Sequence, residues 1–427
     1  MRRLLLCAAL AVALLAIAGV VVRPERTSAP AGRPGGPDPL AVRVARAQQH
    51  LRDLPGDWSG WATLGAAYLE QARVTADPAR YPQAEQAARK SLTLRSGNGG
   101  ALVVLGALAN ARHDFAGARR EALAALRVDS YDADAYGVLA DALTQLGDAS
   151  GATTAVQKML DIRPGLAAYA RASYDLELRG KLDQAGALMR RALDDAVDPH
   201  DVAFCQVQLG DLAFGRGDLT GARSSYASAL SADASSVAAL RGRARVRAAS
   251  GDLPGALADY ASLTARLPGP SYLLEYASLL SLAGLSASAD TQIALASAAQ
   301  QLFTANGGSD ALASSALALA TGSPSLAVTA ARAEWKRRQH PDVADTLAWA
   351  LHAAGRDAEA LGYARQAIAA GGHTAGYAYH LAMIQLALGD KAAARTEFAR
   401  ALTTNPYFSP VDGPTARRAL AALGGPR

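Results

Sequence analysis

Residues 393–406 read AARTEFARALTTNP, and the spacing within this stretch decides the fold. Ala394 stands four residues before Phe398, Ala401 follows three residues later, and Pro406 ends the run. Positions three and four apart share one face of a helix, so small residues and an aromatic ring line one side of a helix that stops before the proline. The same alanine can be followed upstream through Ala360, Ala327, Ala289, Ala256, Ala222, Ala185, Ala152, Ala118 and Ala84. From Ala84 to Ala394 the intervals are 34, 34, 33, 37, 34, 33, 38, 33 and 34 residues. Self-similarity at a fixed period of about 20–50 residues marks an array of small units, none of which buries its apolar face alone.

Turn residues precede most of these anchors: HDFAGA, GDASGA, GKLDQA, GDLTGA, GDLPGA, GRDAEA and GDKAAA. Glycine suits the position just past a helix, and aspartate suits the cap of the next one. Each period therefore holds two helices, and the anchor sits on the second. The first helix of a repeat carries a different signature, clearest in WATLGAAY at 61–68 and continued by Leu105-Gly106, Leu139-Ala140, Leu209-Gly210, Leu347-Ala348 and Leu381-Ala382. The composition agrees, with 50% hydrophobic residues but only 6% aromatic ones. Small residues permit close approach of paired helices, and a leucine at such a point overpacks by about 1–3 kcal/mol. The wide intervals coincide with loop-forming residues at 194–201 and 305–325, where the extra length is expected to form loops.

These residues name a family. W-x-x-L-G-x-x-Y followed by A-x-x-x-F, Ala and Pro resembles the tetratricopeptide repeat, and the periodicity carries the resemblance from Leu40 to Gly424. The order of segments, including LANARHDFAGARR, LADALTQLGD and NPYFSP, also resembles exported, uncharacterised multi-repeat proteins of high-GC bacteria. The resemblance implies an all-α fold, a right-handed superhelix of about ten helix-turn-helix repeats over 57–412. It also implies a concave face, lined by the first helices, that binds an extended peptide or helix of a partner protein. A packing helix over 40–56 precedes the array, and a capping helix and tail over 413–427 close it.

The N-terminus is of another kind. Met1-Arg2-Arg3 leads into 19 uncharged residues, Leu4 to Val22. A basic start before an apolar run reads as an export signal, either cleaved or retained as a membrane anchor. Residues 23–39 hold five prolines and three glycines and read as a linker. The expected location is outside the cytoplasm, either anchored at the membrane or secreted.

Charge locates the basic character in the same region. Residues 1–50 hold seven Arg against Glu25 and Asp38, which accounts for the whole net charge of +5. The rest of the chain is balanced, which argues against nucleic acid as a partner. The two cysteines, Cys7 and Cys205, suggest no internal disulfide, and Cys205 reads as a small buried residue.

No G-x-S-x-G, P-loop, H-E-x-x-H or C-x-x-C motif is present, so no catalytic residue, cofactor or enzyme activity is expected. The histidines His340, His352, His373 and His380 fall late in the chain and read as solvated helix-end residues rather than metal ligands. EWKRRQH at 334–340 reads as the polar end of a helix, with Trp335 packed against a neighbour. On the first helices of the third to sixth repeats, residues sharing one face include Asp134, Asp141, Tyr174, Glu177, Phe204, Asp211, Phe214, Arg241 and Arg245. This mixture suits a partner segment with basic and apolar groups. Ala62 and Ala66 stand where a carboxylate-holding repeat would carry Lys and Asn, so capture of a C-terminal carboxylate is not indicated. The expected role is a non-catalytic scaffold or adaptor. The alternative is a cell-envelope polysaccharide-binding subunit or enzyme accessory protein, which would use exposed aromatics such as Tyr174 and Phe214.

Overall fold

The computed structural model describes residues 39–369 and 374–424. Among these residues every regular element is helical: 22 α-helices and one short 3-10 turn. Helix α1 (Pro39–Asp53) comes first and α22 (Asp412–Ala422) last. Between them lie ten helix pairs. The first helices are α2 (Trp58–Thr75), α4 (Gly99–Ala111), α6 (Ala133–Leu146), α8 (Leu166–Leu178), α10 (Pro199–Gly215), α12 (Val237–Ala249), α14 (Pro270–Leu282), α16 (Ala311–Ala320), α18 (Pro341–Ala353) and α20 (Ala375–Ala387). The second helices are α3 (Tyr81–Leu94), α5 (Phe115–Val128), α7 (Ala149–Ile162), α9 (Leu182–Asp195), α11 (Leu219–Ala232), α13 (Leu253–Arg266), α15 (Ser286–Ala305), α17 (Pro324–Arg337), α19 (Asp357–Ala369) and α21 (Lys391–Thr404).

The described residues fall into two compact units. The first unit holds 39–171 together with Leu302–Ser309; the second holds Ala172–Gln301, 310–369 and 374–424.

All ten anchor alanines lie on second helices, at 0–2% exposure. Ala258, one turn position away from Ala256, is exposed. The register read from the sequence is therefore the register of the packing: each anchor methyl is enclosed between helices. Bulky residues fill the seams between repeats. Tyr226 of α11 is fully buried, and its ring occupies the space beside both Gly210 of α10 and Gly242 of α12. A Cβ at Gly210 would come within 2.6 Å of that ring.

The turns within repeats follow from two residues. Eight of the ten first helices end at a glycine with φ between 70° and 86°, the left-handed conformation that closes a helix; Ala76 (φ 49°) and His113 (φ 60°) take that place in the first two repeats. Aspartate then caps the second helix. Asp114, Asp148, Asp218 and Asp252 accept from the backbone N–H of Gly117, Gly151, Gly221 and Gly255 at 2.8–2.9 Å. The capping carboxylate sits where a side chain would be: a Cβ on Gly151 would lie 2.5 Å from Asp148 Oδ2. The recurrent D-x-x-G is thus one capping device.

The irregular intervals are absorbed differently from the expected loops. The long first repeat extends α2 to 18 residues and adds the turn Pro78–Arg80. Residues 199–201 are the first turn of the 17-residue α10, and α15 grows to 20 residues before the short, 10-residue α16. Added length is helical where alanine and proline at a first turn favour it. The expected signal or anchor at 1–22 and most of the linker at 23–39 lie outside the described residues. Among those described, no helix is long and apolar enough to cross a membrane.

Candidate functional site

The nine residues singled out on the first helices divide between the units. Asp134 and Asp141 belong to the first unit, and the other seven to the second. In the first unit both carboxylates are engaged internally. Arg163 pairs with Asp134. Arg171, 8% exposed, grips Asp141 in a two-pronged bond of 2.9 and 2.8 Å. Such charge-assisted pairs have fixed geometry, and Asp141 is a structural anion rather than an open receptor.

In the second unit the period itself does the joining. Asp211 on α10 and Arg245 on α12, 34 residues apart, occupy equivalent places; the step from α8 to α10 is 37 residues, so Glu177 sits nearly one turn beyond the equivalent place on α8, with the Asp211 charge nearby. Asp211 accepts from Tyr226 Oη at 2.7 Å and from Arg245 Nη1 at 3.3 Å. The Arg245 guanidinium also lies 4.2 Å from the centre of the Phe214 ring. One step along, Arg241 Nε and Nη2 bind Glu275 at 2.8 and 2.5 Å, while Tyr260 Oη donates to the same carboxylate at 2.8 Å. Burial pushes the Glu275 carboxyl up, but Arg241, Arg245 and Tyr260 outweigh it and hold the carboxyl below the ordinary glutamate range.

Glu177 is the exception. Its carboxylate has no hydrogen bond or ion pair among the described residues, and it remains partly accessible. Burial, with the Asp211 charge nearby, pushes it up to about 7. Tyr174 and Phe204 are half-buried. Phe214 is 3% exposed beneath Arg245, so it offers no open face for stacking on a sugar ring; this corrects the expectation that it is an exposed aromatic.

The second unit also returns on itself. The Asn405 side-chain amide donates to the Phe214 carbonyl at 2.7 Å across 191 residues of sequence, and Pro406 lies against Gly217. Tyr377 on α20, bonded to Asp342, lies near enough to Tyr174 on α8 for that phenol to add to the upward push on its own, which burial dominates.

His340 and His380 are buried, not the solvated residues expected. His340 is a buried N-cap of α18, and burial holds its ring below the usual histidine range. His380 is buried with Nδ1 2.9 Å from Asp345 and its ring stacked on Trp349. His352 meets Asp357, and His373 lies outside the described residues. Among the described residues no group of three or more His, Cys, Asp or Glu side chains is placed to hold a metal. Cys205 is fully buried, and burial, with the Asp201 charge, pushes its thiol up to about 12. Trp335 packs edge-on to Tyr363.

Sequence reasoning missed the partners: Arg171, Tyr226, Tyr260, Glu275, and the pair Arg243 and Arg247 on buried Asp259. One signal was available. Arg241 with Glu275 and Asp211 with Arg245 are opposite charges spaced by one period.

The helices and their pairing define a helical-hairpin repeat protein. Residues 375–408 match the sequence model of the tetratricopeptide repeat, spanning α20 and α21. No curated protein matches the chain. Solved structures of similar fold include the Cut9–Hcn1 hetero-tetramer of the APC/C (15% identity, 90% of this chain and 93% of that one, TM-score 0.42). They also include the human IFIT1 dimer with PPP-AAAA (14%, 77% and 78%, 0.47) and Pseudomonas aeruginosa PilF (16%, 53% and 95%, 0.38). At these identities the likeness concerns fold.

Proposed function

We propose that the chain is a non-catalytic tetratricopeptide scaffold outside the cytoplasm, its repeats wound as a right-handed superhelix, and that it binds a segment of a partner protein on the first-helix surface of the second unit. The observation that carries the reading is Glu177. Around it, Asp211, Arg241, Arg245 and Glu275 are satisfied by one another and by tyrosines. A crowded carboxylate left without a partner is costly, and a cationic group supplied from outside relieves it. The half-buried rings of Tyr174 and Phe204 on the same set of helices suit apolar side chains flanking that cation. The apolar run from Leu4 to Val22 supports export.

The test is capture from a cell-envelope fraction by residues 40–427, compared with Glu177→Arg and with Ala258→Arg as an exposed control. The expected result is loss of captured partners with Glu177→Arg alone. An unchanged set of partners with Glu177→Arg removes the assignment. Asp141 and Asp211 are unsuited to this test because each holds a structural hydrogen bond.

A further inference from the structure

The left-handed position closing a first helix is glycine in eight repeats, but in the second repeat it is His113, with φ 60°. An L-residue there carries backbone strain that glycine avoids, and such strain persists where something else holds it. The ring is engaged on two sides. It stacks on Phe115 at 5.4 Å and meets the Phe303 ring edge-on at 5.5 Å. Phe303 also lies edge-on to Tyr81 at 6.3 Å.

Phe303 belongs to Leu302–Ser309, the short segment that joins the first unit from far along the chain. The same segment is held at its far end by Arg112, the neighbour of His113. Ser309 N–H donates to the Arg112 carbonyl at 3.0 Å, and Arg112 Nε donates to the Asn306 carbonyl at 3.1 Å. Arg112 Nη1 is itself fixed by Glu85 at 2.5 Å. Between the two holds lie Gly307, in the left-handed region, and Gly308, whose missing side chain leaves room for the Phe303 ring. Two glycines make the middle of the segment easy to bend.

We propose that residues 302–309 are a releasable strap across the edge formed by Tyr81, Glu85, Arg112 and His113, and that the strained His113 ring is its catch. The strap's fastenings include the Phe303 ring, set against both His113 and Tyr81, and two backbone-directed hydrogen bonds at Asn306 and Ser309. Release needs no helix to unwind beyond the last turn of α15. It lets the turn at His113 relax and uncovers Tyr81 together with the Arg112 and Glu85 side chains.

Hydrogen exchange on the full chain tests this with three variants. His113→Gly removes both strain and ring; His113→Asn keeps a residue tolerant of this backbone but removes the ring; Phe303→Leu removes the opposing ring. Each is expected to speed exchange of the Ser309 amide about tenfold while the Ala118 amide, bonded to the Asp114 carbonyl in the neighbouring helix, keeps its rate. Unchanged or slower Ser309 exchange in His113→Gly overturns the proposal. So does an acceleration spread evenly through α4 and α5, which assigns the ring to general packing.

Discussion

The two units each fasten a distant piece of chain to the turn after a first helix, and they divide the work in opposite ways. In the second unit the turn contributes backbone: the Phe214 carbonyl and the bare Cα of Gly217 receive the Asn405 amide and Pro406. In the first unit the turn contributes side chains: the Arg112 guanidinium and the His113 ring reach out to a segment that offers carbonyls, a ring and two glycines. The sequence separations are close, 191 and 194 residues. A glycine turn with a buried amide bond is unstrained and dry. A histidine turn with a partly accessible ring is strained and easier to undo. The same fold thus supports one permanent fastening and one conditional fastening, according to which side of the contact supplies the side chains.

The largest effect should come from disturbing the glycine turn. Gly217→Val adds left-handed strain and a clash with Pro406, and should destabilise the second unit by about 3 kcal/mol in chemical unfolding. His113→Gly, the reverse exchange, should leave global stability within about 1 kcal/mol, and equal losses in the two variants would erase the contrast. The packing that both units share should respond alike. Ala118→Leu and Ala256→Leu should each cost about 1–3 kcal/mol, while Ala258→Leu should stay within about 0.5 kcal/mol. Asn405→Ala should cost about 1 kcal/mol, because the Phe214 carbonyl still accepts from the Gly217 amide. Faster exchange near Gly217 without faster exchange at Ser309 would confirm that the fastenings are separate.

A separate effect concerns pH. Glu177 binds its proton more tightly folded, near 7, than unfolded, near the ordinary 4.5. The folded state therefore holds the extra proton, and stability falls as pH rises from about 4.5 to about 7, then levels. Urea melts at pH 5, 6, 7 and 8 should show this slope in the natural chain and a flatter one in Glu177→Gln. Matching slopes would place the charge penalty elsewhere.

How much of this could be read from the residues depended on range. The ten alanines were legible because each reports contacts within its own repeat, where the chain offers few alternatives. The pairing of Arg241 with Glu275 and of Asp211 with Arg245 was legible in principle, since one period separates each pair. Glu177 lies near Asp211 on the preceding first helix, yet nothing local distinguishes its empty carboxylate from the satisfied one of Asp211, which depends on Tyr226 from a second helix. The fastenings were out of reach. Asn405 meets Phe214 only because small rotations accumulate over several repeats, and no residue spacing encodes that sum. Even so, HDFAGA carries histidine where GDASGA, GDLTGA and GDLPGA carry glycine, and that one departure marks the catch.

Repeat arrays invite the view that modules can be shuffled at will. The Tyr226 ring, wedged against Gly210 on one side and Gly242 on the other, limits that freedom. Neither neighbour tolerates a bulkier replacement unless the ring shrinks too, so three positions on three helices must change together or not at all. An engineer who trims, duplicates or transplants part of this chain should cut away from that joint, because a splice there would match a ring with a hole built for nothing so large.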